Sequence, residues 1–374
     1  MIIREPSVRI LNYAQYLKHS KPKRALLSYL SQPILDELTG GTSVRFSNDG
    51  LATSWPKVLN KLGYSVDIIN WDDNDFTFEH SYQLIISHGG INYDNIARQM
   101  GESRYIYFST GSYWKFHNQQ EQKRFKDFER RHKTVLPNDR FIDHPEEAAN
   151  RRADAIICLG NKAAAETYEG FENVYNLPVG SFTGVGHEKT HAEIEAGRKN
   201  ILFIAGAGNI HKGLDLLLDA IADMPDFILH IYTFLDPEFV RFYKKQLNGS
   251  NVIIHEFEAF PSEKFLAITK ICNIAIMPSC SEGSPGSIVE AMIQGLIPIV
   301  SQEAHIDVDG AGIVLKENTI QAIHDALRSV STANPEELVK FSHIASTTGL
   351  NNHSRQVFEK TLTGIVKRFE KTEK

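Results

Sequence analysis

The chain has 374 residues, too many for one ordinary hydrophobic core, so two domains are expected. With 42% hydrophobic and 23% charged residues it reads as globular rather than disordered, and a net charge of −6 argues against a nucleic-acid binder. The opening "MIIREPSVRI" interrupts any apolar leader with charges, and no apolar run is long enough to span a bilayer. Cys158, Cys272 and Cys280 have neither metal nor redox spacing, so reduced core cysteines and a cytoplasmic location are expected.

In chain order, short apolar runs alternate with helical patterns. The first half offers strands "RALLSYL", "SVDIINW", "YQLIIS", "RYIYFS" and "DAIICL", with helices over 55–62, 92–100, 118–132 and 162–168. The stretch "PVGSFTGVGHEKTHAEIEAGRKN", residues 178–200, has four glycines and many charges and reads as the boundary. The second half repeats the alternation with "NILFIAG", "FILHIYTF", "NVIIHEF", "NIAIMPS" and "IPIVS", and helices over 214–222, 237–247, 262–269 and 285–294. Runs of Ile, Val and Leu without polar interruption suit strands buried on both faces, as in a parallel sheet. The expected architecture is therefore α/β: two facing, doubly wound Rossmann-like domains with a cleft between them. Their expected extents are 1–180 and 181–350. A last helix over about 354–369 carries Val357, Phe358, Leu362, Ile365, Val366 and Phe369 at helical spacing. It is expected to pack back on the first domain.

Ligands of such sheets sit at the carboxyl ends of the strands. In "FIAGAGNIHKGLDLLLDA" a strand gives way to a turn with Gly206 and Gly208, and Lys212–Gly213 leads into a helix. Free N–H groups, the helix dipole and the lysine favour an anion there. The glycine spacing fits neither a Walker loop nor the dinucleotide fingerprint, and a plain strand–helix turn is the competing reading.

The second stretch is "CSEGSPGSIVEAMIQG", residues 280–295. Ser284 is a good N-cap, Pro285 a good first helical residue and Gly295 a good C′ residue. Gly283, Ser284, Gly286, Ser287 and Ile288 form the phosphate side of this loop. Glu282 and Glu290 would repel phosphate. They are better suited to accepting hydrogen bonds from paired hydroxyls of a sugar or ribose. The bland alternative is a dipole-capping Glu282 and a solvated Glu290, although the helix around Glu290 is mostly apolar.

Together, "GNIHKGLDLLLDAI", "MPSCSEGSPGSIVEAMIQGLIPIVS" and "GAGIVL" resemble retaining glycosyltransferases of the GT-B fold, specifically glycosyltransferase family four, over the second half. The resemblance implies that Glu282 faces the donor sugar, Glu290 the nucleotide ribose and Lys212 the donor diphosphate. It implies sugar transfer from a nucleotide-diphosphate sugar to a carbohydrate or lipid-linked acceptor, with retained configuration. Surface polysaccharide or glycolipid assembly is the implied setting. Neither a metal nor another cofactor is expected. Where the family often has an arginine, this chain has Asn209, which weakens the implied diphosphate clamp by one charge or shifts the task to His211 beside Lys212 or to another cationic group. In the first half, Gly40–Gly41 match an early glycine pair near donor phosphate. Ser109, Thr110 and Gly111 occupy a slot where many members have a histidine. His88 and His117 remain alternatives, each also readable as an ordinary loop histidine. Trp114, with Tyr113 and Phe116, is a candidate acceptor contact or a packing residue.

Four weaker signals complete the reading. Asp73-Asn-Asp75 has metal-binding spacing but reads as a solvated loop, and "DVDG" lacks the later ligands of a calcium loop. The basic stretch 115–133, with "KHSKPKR", offers peripheral contact with an anionic membrane or simply a solvated face. "HEFEAF", residues 255–260, ends a strand where base recognition occurs, by position alone. A non-catalytic nucleotide-sugar binder or scaffold on the same fold is the alternative function. A nicotinamide enzyme fails, because it leaves the paired glutamates unexplained. The base, the acceptor and the oligomeric state leave no mark in the sequence.

Overall fold

The computed structural model describes residues 8–13, 23–41, 47–144, 146–181, 184–258 and 262–371. In chain order the elements are β1 (Lys23–Tyr29), α1 (Gln32–Leu38), α2 (Ser47–Lys61), β2 (Tyr64–Asn70), β3 (Leu84–Ser87), α3 (Tyr93–Gln99), β4 (Arg104–Ser109), α4 (Trp114–His132), α5 (Glu147–Arg152), β5 (Ala155–Leu159), α6 (Lys162–Glu166) and β6 (Val174–Leu177). There follow α7 (His191–Gly197), β7 (Asn200–Ile204), α8 (Leu214–Ala222), β8 (Ile228–Tyr232), α9 (Pro237–Phe242), α10 (Lys244–Leu247), β9 (Val252–Ile254), α11 (Glu263–Ile271), β10 (Ile274–Met277), α12 (Gly286–Ile293), β11 (Ile297–Ser301), β12 (Ile313–Leu315), α13 (Ile320–Thr332), α14 (Pro335–His353) and α15 (Arg355–Lys371).

The chain forms two compact units. Unit 1 comprises Met1–Trp114, Asp143–Phe182 and Arg355–Lys374; unit 2 comprises Lys115–Ile142 and Thr183–Ser354. Each holds one six-stranded parallel sheet, in the order β2-β1-β3-β4-β5-β6 in unit 1 and β12-β11-β10-β7-β8-β9 in unit 2. The central strands are buried along their whole length, which explains their unbroken apolar sequences. β6 and β12 are absent from the sequence-based strand set for the opposite reason. Both are short edge strands, half-buried or exposed at most positions.

Two expectations about packing change. Residues 115–142 were expected in the first domain, but they belong to unit 2. α4 has no strong apolar stripe, and yet Asn118, Glu121, Arg124, Phe125 and Phe128 are buried. Polar groups carry that interface, so an apolar pattern could not announce it. Of the seven basic residues in 115–133, Arg124 and Arg131 turn inward to Asp215 and Asp219. α2 is twice the expected length, because its first two turns are built from small residues, Gly50, Ala52, Thr53 and Ser54, that are buried without an apolar signature.

α15 lies in unit 1, against α2 and β6. Its buried face is Phe358, Leu362, Ile365, Val366 and Phe369. Its rim is tied by Glu370 to Lys23 Nζ and to the Tyr64 hydroxyl, each at 2.7 Å. Asp73 is not a solvated loop residue: it is buried, and both its oxygens accept from Arg9, at 2.6 and 2.8 Å. No helix among the described residues is long and apolar enough to cross a membrane, and all three cysteines are buried and free.

Candidate active site

The order of the unit 2 sheet reverses between β7 and β10, where diverging connections open a crevice at the carboxyl ends of the strands. The two stretches singled out in the sequence follow those two strands. After β7 the chain turns through Gly208 (φ +103°) and Gly213 (φ +83°) into α8. A Cβ on Gly213 would lie 2.5 Å from the Pro278 carbonyl oxygen, so only glycine lets the two loops approach this closely.

This approach brings Lys212 to Glu282. The Lys212 ammonium donates to Glu282 Oε1, which also accepts from Ser279 Oγ at 2.7 Å. The side chains of Lys212 and Glu282 are each only 11% exposed. Burial raises the pKa of Glu282, and the charges of Lys212 and then His211 outweigh it, drawing it down to about 2. The carboxyl is thus ionised at neutral pH. Its own backbone is held as well: Glu282 N–H donates to Glu303 O at 2.9 Å, and its carbonyl accepts from His305 Nδ1 at 2.9 Å.

The start of α12 differs by one residue from expectation. Pro285 is the N-cap and Gly286 the first helical residue. Ser284 sits at φ +64°, its Oγ makes no capping bond, and its N–H donates to Ala304 O at 3.2 Å. Its left-handed backbone swings the loop into register with the segment after β11. The Ile288 N–H returns to Pro285 O at 3.0 Å, so the N–H groups of Gly286 and Ser287 precede the first bonded turn. Ser287 Oγ donates to Ile204 O at 3.0 Å and ties α12 to the end of β7. Gly283 is buried, as is Glu290 at 5% exposure, which removes the solvated-face reading of Glu290. Gly295 is the C′ residue, at φ +74°.

Asn209 is bonded to the loop after β8. Its amide donates to Phe234 O and accepts from Asp236 N–H, both at 2.8 Å, pinning the loop after β8. His211 is buried between α4 and the β10–α12 loop, with Nε2–H donating to Ser281 O at 2.7 Å and Nδ1 bonded to Glu121 Oε2 at 2.7 Å. His117 stacks on it, with ring centroids 4.8 Å apart, and donates to Arg140 O at 2.8 Å.

Several residues of this site escape sequence reading, and most come from 115–142. Arg124 donates to Pro278 O at 2.7 Å and Ile210 O at 3.2 Å, clamping both loops at once. Asp139 accepts from Ile210 N–H at 3.2 Å, and burial first, then Glu121, raises its pKa to about 6. The available signal was spacing: Glu121, Arg124, Phe128, Arg131 and His132 fall on one helical face. A cavity of about 330 Å³ opens beside Arg124 and Cys280, lined also by Lys123, Lys316 and Thr319, and does not include Lys212 or Glu282.

The first-half candidates other than His117 lie in unit 1. His88 follows β3, its Nδ1–H donating to Phe108 O at 3.0 Å, and burial lowers its pKa. Gly41 follows α1, its N–H bonded to Asp36 O at 2.7 Å, and residues 42–46 of that loop lie outside the described residues. Trp114 packs edge-on against Tyr113, at 6.0 Å. In unit 2, His255 pairs with His230, ring nitrogens 2.9 Å apart; residues 259 and 260 of its stretch, like 18–22 of "KHSKPKR", lie outside the described residues.

Residues 187–347, all within unit 2, match the model of the family described as "Glycosyl transferases group 1". No match to a curated protein was found at the sequence level. Among solved structures, sucrose-phosphate synthase from Thermosynechococcus elongatus superposes with a TM-score of 0.67 at 13% identity, over 93% of this chain and 99% of that one. Anabaena HepE, in complex with UDP and glucose, gives 0.60 at 13% identity over 92% and 99%. WaaG, a glycosyltransferase involved in lipopolysaccharide biosynthesis, gives 0.56 at 13% identity over 92% and 99%. With its two six-stranded parallel sheets the chain has the GT-B fold, and its second unit carries the group 1 glycosyl transferase match.

Proposed function

We propose that this protein is a retaining glycosyltransferase that uses a nucleotide-diphosphate sugar. The observation that carries the reading is the Lys212–Glu282 pair at the β7/β10 switch point, with the start of α12 beside it. The group 1 match over the same residues supports it. Lys212 and the N–H groups of Gly286 and Ser287 take the diphosphate, Glu282 the sugar hydroxyls and Glu290 the ribose.

The bond between the anomeric carbon and the β-phosphate oxygen breaks, and a bond to the acceptor oxygen forms on the same face. The acceptor proton passes to the departing phosphate oxygen, so no protein base is needed. Charge grows on the diphosphate as the bond breaks, and preorganised donors there lower the barrier. The sugar develops oxocarbenium character, which the ionised Glu282 stabilises. No step calls for a metal. The acceptor is a carbohydrate or a lipid-linked sugar, and the setting is cytoplasmic assembly of surface polysaccharide or glycolipid, at the membrane face where the acceptor is lipid-linked.

Donor hydrolysis and transfer assays across UDP-, GDP-, ADP- and dTDP-sugars test this directly. Turnover of one donor class that disappears in Lys212→Ala and Glu282→Gln supports the proposal. Tight nucleotide binding with no turnover replaces it with a non-catalytic binder on the same fold.

A further inference from the structure

Lys212 faces two demands. In the proposed reaction it meets the diphosphate, yet in the structure it is the partner of Glu282. When the ammonium turns to phosphate, a mostly buried carboxylate loses its strongest cation, and burial then favours protonation. A second cation has to hold it. His211 is in position, its Nε2 4.0 Å from Glu282 Oε1.

A histidine is a cation only when both ring nitrogens carry protons. Its contacts require that here. Nε2 faces the carbonyl oxygen of Ser281, which can only accept, and Nδ1 faces the carboxylate of Glu121, both at 2.7 Å. With the Glu121 carboxyl held, despite burial, below its ordinary range by His211, acceptors on both nitrogens make the ring an imidazolium. Glu121 is fixed in turn: it is fully buried on α4, and its Oε1 accepts from Arg140 N–H at 2.8 Å.

We propose that Glu121 is a positioning residue that holds His211 as a buried imidazolium, so that Glu282 stays ionised while Lys212 engages the diphosphate of a nucleotide sugar. The proposal rests on the roles given above to Lys212 and Glu282. Glu121 lies 90 positions before His211 in sequence, and no motif points to it.

The surrounding charges agree. Around His211 stand Glu121 and His117 from α4, Asp139, Cys280 Sγ at 3.4 Å from Nδ1, and Glu282. Burial draws His211 down, and Cys280, Glu121 and Glu282 outweigh it, pushing it up to about 10. Burial first and His211 second bring His117 down to about 4, so it is neutral and does not compete. Around Glu282 stand Lys212 and His211, with His305 on its backbone carbonyl and Glu303 beyond His305. His117, Glu121 and His211 are also of types that bind zinc, with ligand atoms within 4.8 Å of one another. Two ligands on one tetrahedral zinc stand about 3.3 Å apart; the 2.7 Å between Nδ1 and Oε2 is instead a hydrogen-bond distance.

The first test needs no activity. In protein labelled with ¹⁵N-histidine, the His211 signals are those missing from His211→Asn. Both ring nitrogens should stay protonated from about pH 6 to about pH 8 in the wild type, whereas in Glu121→Gln the ring should lose a proton within that range. A neutral His211 at pH 7 in the wild type, or one metal ion per chain by elemental analysis, overturns the proposal. The second test follows turnover of the donor that the wild type accepts. The acid limb of kcat against pH should rise by about one pH unit in Glu121→Gln and return in Glu121→Asp, with donor KM little changed. An unmoved acid limb in folded Glu121→Gln overturns the proposal. A wild type that turns over no nucleotide sugar sinks the functional reading instead, and the histidine spectra still decide whether Glu121 holds His211 charged.

Discussion

The two units each hold a six-stranded parallel sheet with one reversal of strand order, and the chemistry at the reversal differs. In unit 2, between β7 and β10, the loops hold Lys212, His211 and Glu282, interlocked with Glu121 and Arg124. In unit 1, between β1 and β3, the loop after β3 holds His88 among the rings of Tyr29 at 5.2 Å, Trp71 at 6.1 Å and Phe108 at 6.3 Å. Burial keeps that histidine neutral. The crevice at such a point comes with the fold; the residues set there decide whether it is charged. The proposed diphosphate site would need cations and N–H groups such as Lys212 and the start of α12 in unit 2, whereas His88 is packed among aromatic rings.

The contrast breaks most visibly if the charges of unit 2 prove dispensable. Lys212→Ala and Glu282→Gln should each lower donor turnover by about 10²–10³-fold with circular dichroism unchanged. Turnover close to wild type in either variant would move the chemistry elsewhere. A smaller effect is expected at the other glutamate. Glu290→Gln should raise donor KM by about 10- to 100-fold with kcat nearly intact, since it removes a charged hydrogen bond made equally before and during reaction.

Next comes the clamp. Arg124→Met leaves the Pro278 and Ile210 carbonyls without their donor and should lower unfolding free energy by about 3 kcal/mol in urea titrations. A change below about 0.5 kcal/mol would show that α4 does not fasten the two loops. Stability should also report Glu282. Its folded pKa, about 2, lies below the ordinary 4.5, so the pair's contribution is complete above 4.5 and is lost as pH falls toward 2. Urea midpoints measured down this range should lose less in Lys212→Ala than in wild type; equal losses would dissociate the pair from stability. The smallest effect belongs to unit 1. His88→Asn should keep turnover within about threefold, and a folded variant with a far larger loss would give His88 a place in the chemistry.

Much of the site was legible because its determinants are close in sequence. Glu282 and Glu290 flank a helix start eight positions apart, and the Lys212–Gly213 pair opens the next helix along the sheet order, so local pattern suffices to place them. Finer geometry was not legible even there. Ser284 looks like an N-cap, but the long-range bond from its N–H to Ala304 holds it in a left-handed turn and passes the cap to Pro285. Asn209, in the slot of the family's arginine, also pins the loop after β8 through its amide, which no local pattern shows.

The sequence by itself determined the alternation of buried strands and helices, the two-sheet class and the positions of Lys212, Glu282 and Glu290. Each of these is written in local periodicity, in turn residues or in short spacing. Only the tertiary structure decided that residues 115–142 pack with the loops after β7 and β10 of unit 2 and that Glu121 meets His211. Such contacts join residues about 90 positions apart through charged and polar groups, and polar groups on a helix leave the same sequence signature whether they face water or a buried partner.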